Sequence, residues 1–341
     1  NYGILTRATV WLMPEPERFS AFFVTLTRAD VIGPFVEAMR RLRLRGSLRS
    51  TVHIFNDMRM LGSCMRFPWS EADGTGALEV AHAPLCQRLL REHRVTAWSA
   101  SGCITGSRAE VGAARAVIRR ELRRVPGIGR LAFVGPRSMR WAERLCSFLT
   151  RMGWLPSVRH LLETARLGYD LLRGAPSYAT LAGGHWRARG TPGADLDPRD
   201  SGSGMYWVSP ILPMDAASVT EVERIGREVV NAHGFEYQVT HSLVSDRALC
   251  AVMSICFDRA SASECDRSRR CHDALVDALV AAGFLPYRGS PATIARCRGA
   301  APRFWAIAER LKRALDPQDL IAPGRYIPAL RRGDQSEDSQ R

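Results

Sequence analysis

The sequence predicts an α+β fold: a mainly antiparallel sheet covered by helices on one face and built from ferredoxin-like repeats. Three observations carry this. Apolar residues recur at helical spacing in several separate stretches, most clearly Val219, Val222, Ile225 and Val229. Short runs rich in Val, Ile, Phe and Tyr alternate with those stretches, so strand and helix follow one another in three repeats. Two such runs, 237–245 and 249–257, are parted only by the turn at Ser245-Asp246 and read as a hairpin, which requires antiparallel pairing.

In chain order, residues 3–11 read as a strand, and 22–26 as a second after the Pro14-Glu-Pro16 break. Asp30 is placed to cap a helix with Val31, Phe35, Met39 and Leu42 along one side, and Gly46 to close it. A strand at 49–55 completes the first repeat. Arg40, Arg41, Arg43, Arg45 and Arg49, clustered at the helix end, are expected to form a solvated face that complements the helix dipole. Residues 56–80 read as loop. A helix at 84–93, a strand at 96–105, a helix at 108–124 and a strand at 130–134 make the second repeat. Helices at 138–152 and 157–173 follow.

Residues 174–203 are rich in Gly, Pro, Arg and Asp and read as a long irregular segment of the kind that lines a site. His185 and Trp186 within it read as plain surface. A strand at 205–210 and a helix at 216–233 open the third repeat, and a helix at 264–282 closes it after the hairpin. Pro302 can begin a further helix, with Phe304, Ile307, Ala308, Leu311 and Leu315 on one face. The tail from 331 is charged and Ser-rich, with the composition of a disordered segment.

The 341 residues are 46% hydrophobic, enough for one large or two ordinary domains. A formal charge of +14 raises the question of nucleic acid or an anionic membrane. Yet Lys312 is the only lysine among 48 basic residues, and so general an arginine bias reads as compositional habit rather than a binding patch. RNA-binding aromatic strands and a DNA-reading motif are missing, so a nucleic-acid partner is not expected. Nine cysteines without close pairing favour a reducing, cytoplasmic setting. Cys265, Cys271 and His272 fit no zinc spacing, so no metal is expected. No apolar run reaches membrane-spanning length.

Two polar signatures stand out near the end. Tyr287-Arg288, in the stretch 283–291, joins a phenol donor to a permanent cation, a pair suited to holding a small anion or phenolate. Ala322-Pro-Gly-Arg325 follows the run 315–321. The order Gly-x-x-x-Tyr-Arg, helix, Asp-Pro-x-x-x-Ile-Ala-Pro-Gly-Arg resembles the C-terminal end of the FAD-linked oxidase family of vanillyl-alcohol oxidase, eugenol oxidase and the 4-cresol dehydrogenase flavoprotein subunit. Asn1-Tyr-Gly-Ile-Leu-Thr-Arg7 with Val10-Trp-Leu-Met-Pro-Glu-Pro16 resembles the exit from that family's FAD-binding domain. Residues 174–177, 200–204 and 207–213 resemble the cap segment that passes the flavin. The likeness runs from residue 1 to about 328, in pattern only over 60–170.

The resemblance implies four segments: 1–14 as the end of the FAD-binding domain, 15–285 as the cap, 286–330 as the return to the FAD domain, and 331–341 as a disordered tail. It also implies the chemistry. A para-substituted phenol or related alcohol binds as phenolate and gives a hydride to the flavin, with Tyr287 and Arg288 matching the positions that hold the phenolate oxygen. Arg325, with Gly324, matches the basic turn near the flavin. The position of the family's flavin-linking histidine is Met205, which excludes a histidyl link; Tyr206 beside it alternates to the opposite strand face, so non-covalent FAD is expected. The Met-His-His run of those oxidases is replaced by Leu249-Cys-Ala251, which points away from a simple vanillyl substrate. Expected partners are the substrate, an N-terminal FAD-binding half, further copies of the chain and, in the cresol-dehydrogenase branch, a cytochrome acceptor. A Gly-rich pyrophosphate cradle is not found, so the chain reads as cut from something longer and as inactive alone. A catalytically incomplete scaffold or pseudoenzyme subunit is the competing reading.

Overall fold

The structure, a computed structural model, describes residues 2–12, 14–151, 166–194 and 196–328. Eight strands form one antiparallel sheet: β1 (Arg18–Leu26), β2 (His53–Asn56), β3 (Trp98–Gly106), β4 (Ile128–Val134), β5 (Ser203–Val208), β6 (Ile211–Pro213), β7 (Gln238–Leu243) and β8 (Ala248–Asp258). Their order is β4-β1-β3-β2-β7-β8-β5, with β6 also paired to β8. The helices are α1 (Ile32–Leu44), α2 (Asp57–Cys64), α3 (Leu78–Ala81), α4 (Ala83–Glu92), α5 (Arg108–Leu122), α6 (Pro136–Arg151), α7 (residues 166–172), α8 (Ala216–Ala232), α9 (Ala262–Ala281), α10 (Pro291–Arg298) and α11 (Pro302–Leu315).

Strands β1 to β4 with α1 and α5 make a β-α-β-β-α-β unit in the order 4-1-3-2, the ferredoxin-like arrangement. Hairpin β7–β8 continues the sheet from the β2 edge, with His53 opposite Ser242 and Ile54 opposite His241. The mainly antiparallel sheet covered by helices is therefore as predicted. The start of α5 shows why the sequence breaks there: the Ser107 hydroxyl accepts from the Glu110 amide and the Glu110 carboxylate accepts from the Ser107 amide, a reciprocal cap.

Helices cover both faces, not one. Arg115 of α5 donates to Ser20 Oγ of β1 at 2.7 and 3.0 Å, and Glu223 of α8 meets His241 Nε2 of β7 at 2.6 Å. The register places Ser20, Phe22, Ala100, Ile54 and His241 on that same face. On the opposite face, Phe19, Ala21 and Phe23 pack with Met139 of α6 and Tyr169 of α7, and Gln238 lies against Gly62 of α2. A second cluster, with Met58, Leu61, Phe67, Leu78 and Trp186 at its centre, fills that face further along. Both faces of the sheet are apolar over much of their width, so each recruits helices.

Several local expectations are corrected. Residues 3–11 form no ladder among the described residues, and Trp11 stands fully exposed; an extended apolar segment without a partner strand does not become a strand. Residues 56–80 hold α2 and α3, the former started by Asn56, whose side chain accepts from the Arg59 amide at 2.9 Å. Asp30 does not cap α1; it pairs with Arg28. The arginines of α1 are not simply solvated: Arg41 and Arg45 reach the buried Glu121 at 2.5 and 3.3 Å, and Arg43 donates to the Ser50 carbonyl at 2.7 Å and to Asp246 at 3.1 Å. Glu121 is held below the usual carboxylate range chiefly by its hydrogen bond from Arg41. Helix α10 lies where no element was expected. The predicted helix at 157–173 is described only over 166–172, and the tail at 331–341 lies outside the described residues.

By its contacts the chain divides into two compact units, Glu15–Leu275 and Asn1–Pro14 with Val276–Arg341. The first carries the sheet and its core. In the second, α10 begins at Ser290, whose hydroxyl accepts from the Thr293 amide. Helix α11 buries Ala308 and Lys312, while Phe304, Ile307, Leu311 and Leu315 are exposed. The predicted apolar stripe is thus present, but only its Ala308 edge is covered. No described helix is long and apolar enough to cross a membrane.

Candidate functional site

Tyr287 and Arg288 stand between α9 and α10, both exposed, with the guanidinium over the phenol ring at 5.2 Å from its centroid. No hydrogen bond to another described residue engages either side chain. The following Gly289 is close against Ile294 of α10: a Cβ there would fall 2.7 Å from Ile294 Cδ1. The dipeptide therefore leads straight into a capped helix, and its two polar tips stay available.

Gly324 and Arg325 lie on the turn after α11. Gly324 has φ +71° and Ala322 φ +48°, so the turn uses left-handed backbone twice, once at a residue that resists it. Arg325 is exposed, stacked at 5.9 Å over the Tyr326 ring. The flanks of this turn are fastened. Lys312 donates to the Ile321 carbonyl at 2.8 Å and pairs with Asp316 and, at 3.4 Å, Asp319. Arg298 donates twice to the Tyr326 carbonyl, at 3.2 and 2.6 Å. Asp316, which also accepts from the Leu320 and Ile321 amides, is pulled down to about 2 by its hydrogen bond from Lys312 first and those amides second.

Met205 and Tyr206 sit on β5 and face opposite ways. Met205, paired in register with Cys256, packs against the cluster around Trp186. Tyr206 stacks on Phe257 at 5.3 Å and meets His272 in a tilted ring contact at 5.1 Å. A thioether offers no nucleophile, and the phenol lies on the other side of the strand. Taken separately, Arg325, on its glycine turn and without an ionic or hydrogen-bonding side-chain partner among the described residues, suits a negatively charged group such as a flavin, and Met205 carries no side chain that would bond one.

A tie in the core escaped the sequence reading. His185 and Trp186 are buried, not surface: His185 bonds Ser201 Oγ at 2.7 Å and the Leu196 carbonyl at 2.9 Å. Arg187, fully buried, lies between the rings of Phe67 and Phe235 and binds Glu236, Glu264 and the carbonyls of Gly74, Gly76 and Gly234. Trp186 Nε1 donates to the same Glu236 at 2.6 Å. Gly74 takes φ +73°, and a Cβ on it would strike Trp69 at 2.4 Å, so only glycine brings this carbonyl to Arg187. Nearby, burial and the charge of Glu236 raise Glu79 to about 7. In the sequence, adjacent His, Trp and Arg in a Gly-rich stretch gave only a faint signal of this.

No protein-family model matches the chain. It is 32% identical over 330 residues to the 1'-carboxy-chondrochloren decarboxylase of Chondromyces crocatus, covering 96% of this chain and 59% of that protein. To the 4-cresol dehydrogenase [hydroxylating] flavoprotein subunit of Pseudomonas putida it is 23% identical, covering 95% and 55%. Among solved structures, substrate-bound p-cresol methylhydroxylase aligns with TM-score 0.71 at 20% identity, over 93% of this chain and 54% of its own. The 4-ethylphenol oxidase of Gulosibacter chungangensis aligns with TM-score 0.72 at 17% identity, over 94% and 55%. The fold is that of part of these solved proteins. The chain resembles the FAD-linked oxidases of the p-cresol methylhydroxylase and 4-cresol dehydrogenase kind, and it spans little more than half the length of the relatives it matches.

Proposed function

We propose that the chain is the substrate-covering part of an FAD-dependent oxidoreductase that oxidises a para-substituted phenol or related alcohol by hydride transfer to flavin. The observation that carries the reading is the adjacent Tyr287 and Arg288, with side chains exposed and unclaimed, in a chain similar to proteins named for 4-cresol and 4-ethylphenol. The Tyr287 hydroxyl donates to the phenolate oxygen. The Arg288 charge favours the deprotonated phenol, which raises electron density at the benzylic carbon. FAD, when bound, supplies the hydride acceptor, and Arg325 lends positive charge beside it. The unit Glu15–Leu275 is read as the cap, and the unit Asn1–Pro14 with Val276–Arg341 as what belongs with an FAD-binding half.

A second reading is favoured by the relative at 32% identity, a decarboxylase by name. With a carboxylate on the carbon next to the benzylic one, hydride loss leaves a quinone methide. The carboxylate then departs as CO2. Its bonding pair forms the new alkene and returns the ring to phenolate, so that one CO2 leaves per hydride delivered. Leu249, Cys250 and Ala251, buried where the oxidases carry Met-His-His, suit a substrate other than a vanillyl compound.

The test is anaerobic mixing of the full-length flavoprotein with 4-ethylphenol and, separately, with 3-(4-hydroxyphenyl)propanoate. Flavin bleaching by the first without CO2 is expected for phenol oxidation, and one CO2 per flavin bleached by the second for decarboxylation. No bleaching by either would leave the scaffold reading standing. Acid precipitation of the same protein should release yellow flavin into the supernatant; flavin retained in the pellet would overturn non-covalent binding.

A further inference from the structure

Lys312 is the only lysine in a chain that meets every other basic position with arginine. It is also nearly fully buried, at 3% exposure. Its three donors face acceptors on one short stretch: the Asp316 carboxylate, Asp319 Oδ1 and the Ile321 carbonyl. An ammonium is a compact point charge with three donors in rotation, whereas a guanidinium is a rigid planar fork that needs a wider, flatter acceptor set. A sequence with a general preference for arginine therefore keeps lysine where the geometry excludes the larger group. Burial of the amine opposes its charge, but Asp316 and Asp319 outweigh this and hold Lys312 protonated.

What this ammonium holds is the entrance to the turn that carries Arg325. The Asp316 carboxylate accepts from the Leu320 amide at 3.0 Å and the Ile321 amide at 2.8 Å, so Lys312 and Asp316 together claim both polar groups of Ile321. At the exit, Arg298 claims the Tyr326 carbonyl. Between these anchors lie the two left-handed residues, Ala322 and Gly324, and the exposed Arg325. A strained turn persists only where its surroundings over-determine it, and here both ends are tied to buried or half-buried cations.

We propose that Lys312 is a positioning residue: it locks the Ala322 to Arg325 turn in its strained form so that the Arg325 guanidinium is presented at a set place to an anionic ring, that of the reduced flavin. This rests on the reading of Arg325 as the flavin's basic neighbour. Lys312 itself touches neither cofactor nor substrate.

The experiment has two arms. In the 341-residue chain, hydrogen exchange at the Leu320 and Ile321 amides is compared between wild type, Lys312→Met and Lys312→Arg; both variants should exchange at least tenfold faster while the sheet amides stay protected. In the flavin-loaded full-length protein, Arg325→Met should shift the flavin redox equilibrium at least tenfold towards the oxidised form, about 30 mV for two electrons. Lys312→Met should shift it in the same direction, and nothing should be added when both substitutions are combined. Asp319→Asn, which removes one of the two negative charges facing the ammonium and leaves the ammonium in place, serves if Lys312→Met does not fold, and should reproduce both effects in weaker form. A shifted equilibrium in Arg325→Met but not in the Lys312 or Asp319 variants would overturn the positioning role. An unshifted equilibrium in Arg325→Met would overturn the flavin reading instead.

Discussion

Arg187 and Glu236 meet as a two-pronged ion pair, Nε to Oε2 at 3.0 Å and Nη2 to Oε1 at 2.8 Å, with both side chains sealed from water. The pair also satisfies three glycine carbonyls, the Leu78 amide and the Trp186 indole, so it joins the irregular stretch around 185–188 to α3 and to the strand β7 approach. Taking one partner away leaves a buried charge and orphaned backbone groups. Arg187→Met and Glu236→Gln are each expected to cost about 3–5 kcal/mol of stability, measured by urea unfolding. A loss below about 1 kcal/mol in both would show the tie to be dispensable.

Glu79 carries a pH dependence of opposite sign to that of a salt-bridged carboxylate. Burial, then the charge of Glu236, raise it from 4.5 to about 7. The folded state therefore holds a proton that the unfolded chain has released between those values. Stability is greatest for this group below its unfolded pKa and falls as pH rises to about 7, by on the order of 3 kcal/mol in all. Glu79→Gln should flatten the fall in urea midpoint between pH 5 and pH 8. A wild-type midpoint that rises over this range would contradict the assignment.

Arg288 and Tyr287 should rank in a set order if they hold a phenolate. In the full-length flavoprotein, Arg288→Met removes a charged donor and its field, which costs about 2–5 kcal/mol, roughly a hundredfold in phenol affinity or in the rate of flavin reduction. Tyr287→Phe removes one neutral donor worth about 0.5–1.5 kcal/mol. Stopped-flow reduction by para-alkylphenols reads both. Equal rates in wild type and Arg288→Met would sink the phenolate mechanism.

Helix α11 exposes Phe304, Ile307, Leu311 and Leu315, and Ile4, Leu5, Trp11 and Leu12 are exposed near the other end of the chain. Apolar surface on this scale marks a face meant to be covered. The 341-residue chain by itself should bind a hydrophobic dye and self-associate in sedimentation, and Ile307→Glu with Leu311→Glu should reduce both. A compact monomer with little dye binding would count against a covering partner.

Periodicity and turn chemistry made most elements legible. The stripe of Val219, Val222 and Ile225 is the buried face of α8, and Ser245-Asp246 closes the β7–β8 hairpin. The order of short polar signatures was enough to show the likeness to the oxidase family. These are local properties, written in residues near one another, and they survive without knowledge of what packs where. Which faces are covered was not local. Helix α2 hides in a stretch that reads as loop because its cap and its buried side chains matter only against Gln238 and the Trp186 cluster. His185 and Trp186 read as surface because their partners lie 11 to 50 residues away.

Lys312 shows the same division within one residue. Its singularity was visible in the sequence as a matter of composition. Its meaning came from the fold of one turn, where an ammonium, two carboxylates and a carbonyl converge. The sequence by itself determined most of the strands and helices, their order and the likeness to the oxidase family, since those follow from spacing and propensity. Only the tertiary structure decided which polar groups are buried together. Burial is a property of what surrounds a side chain, and the energy of a hydrogen bond or ion pair depends on the water it excludes.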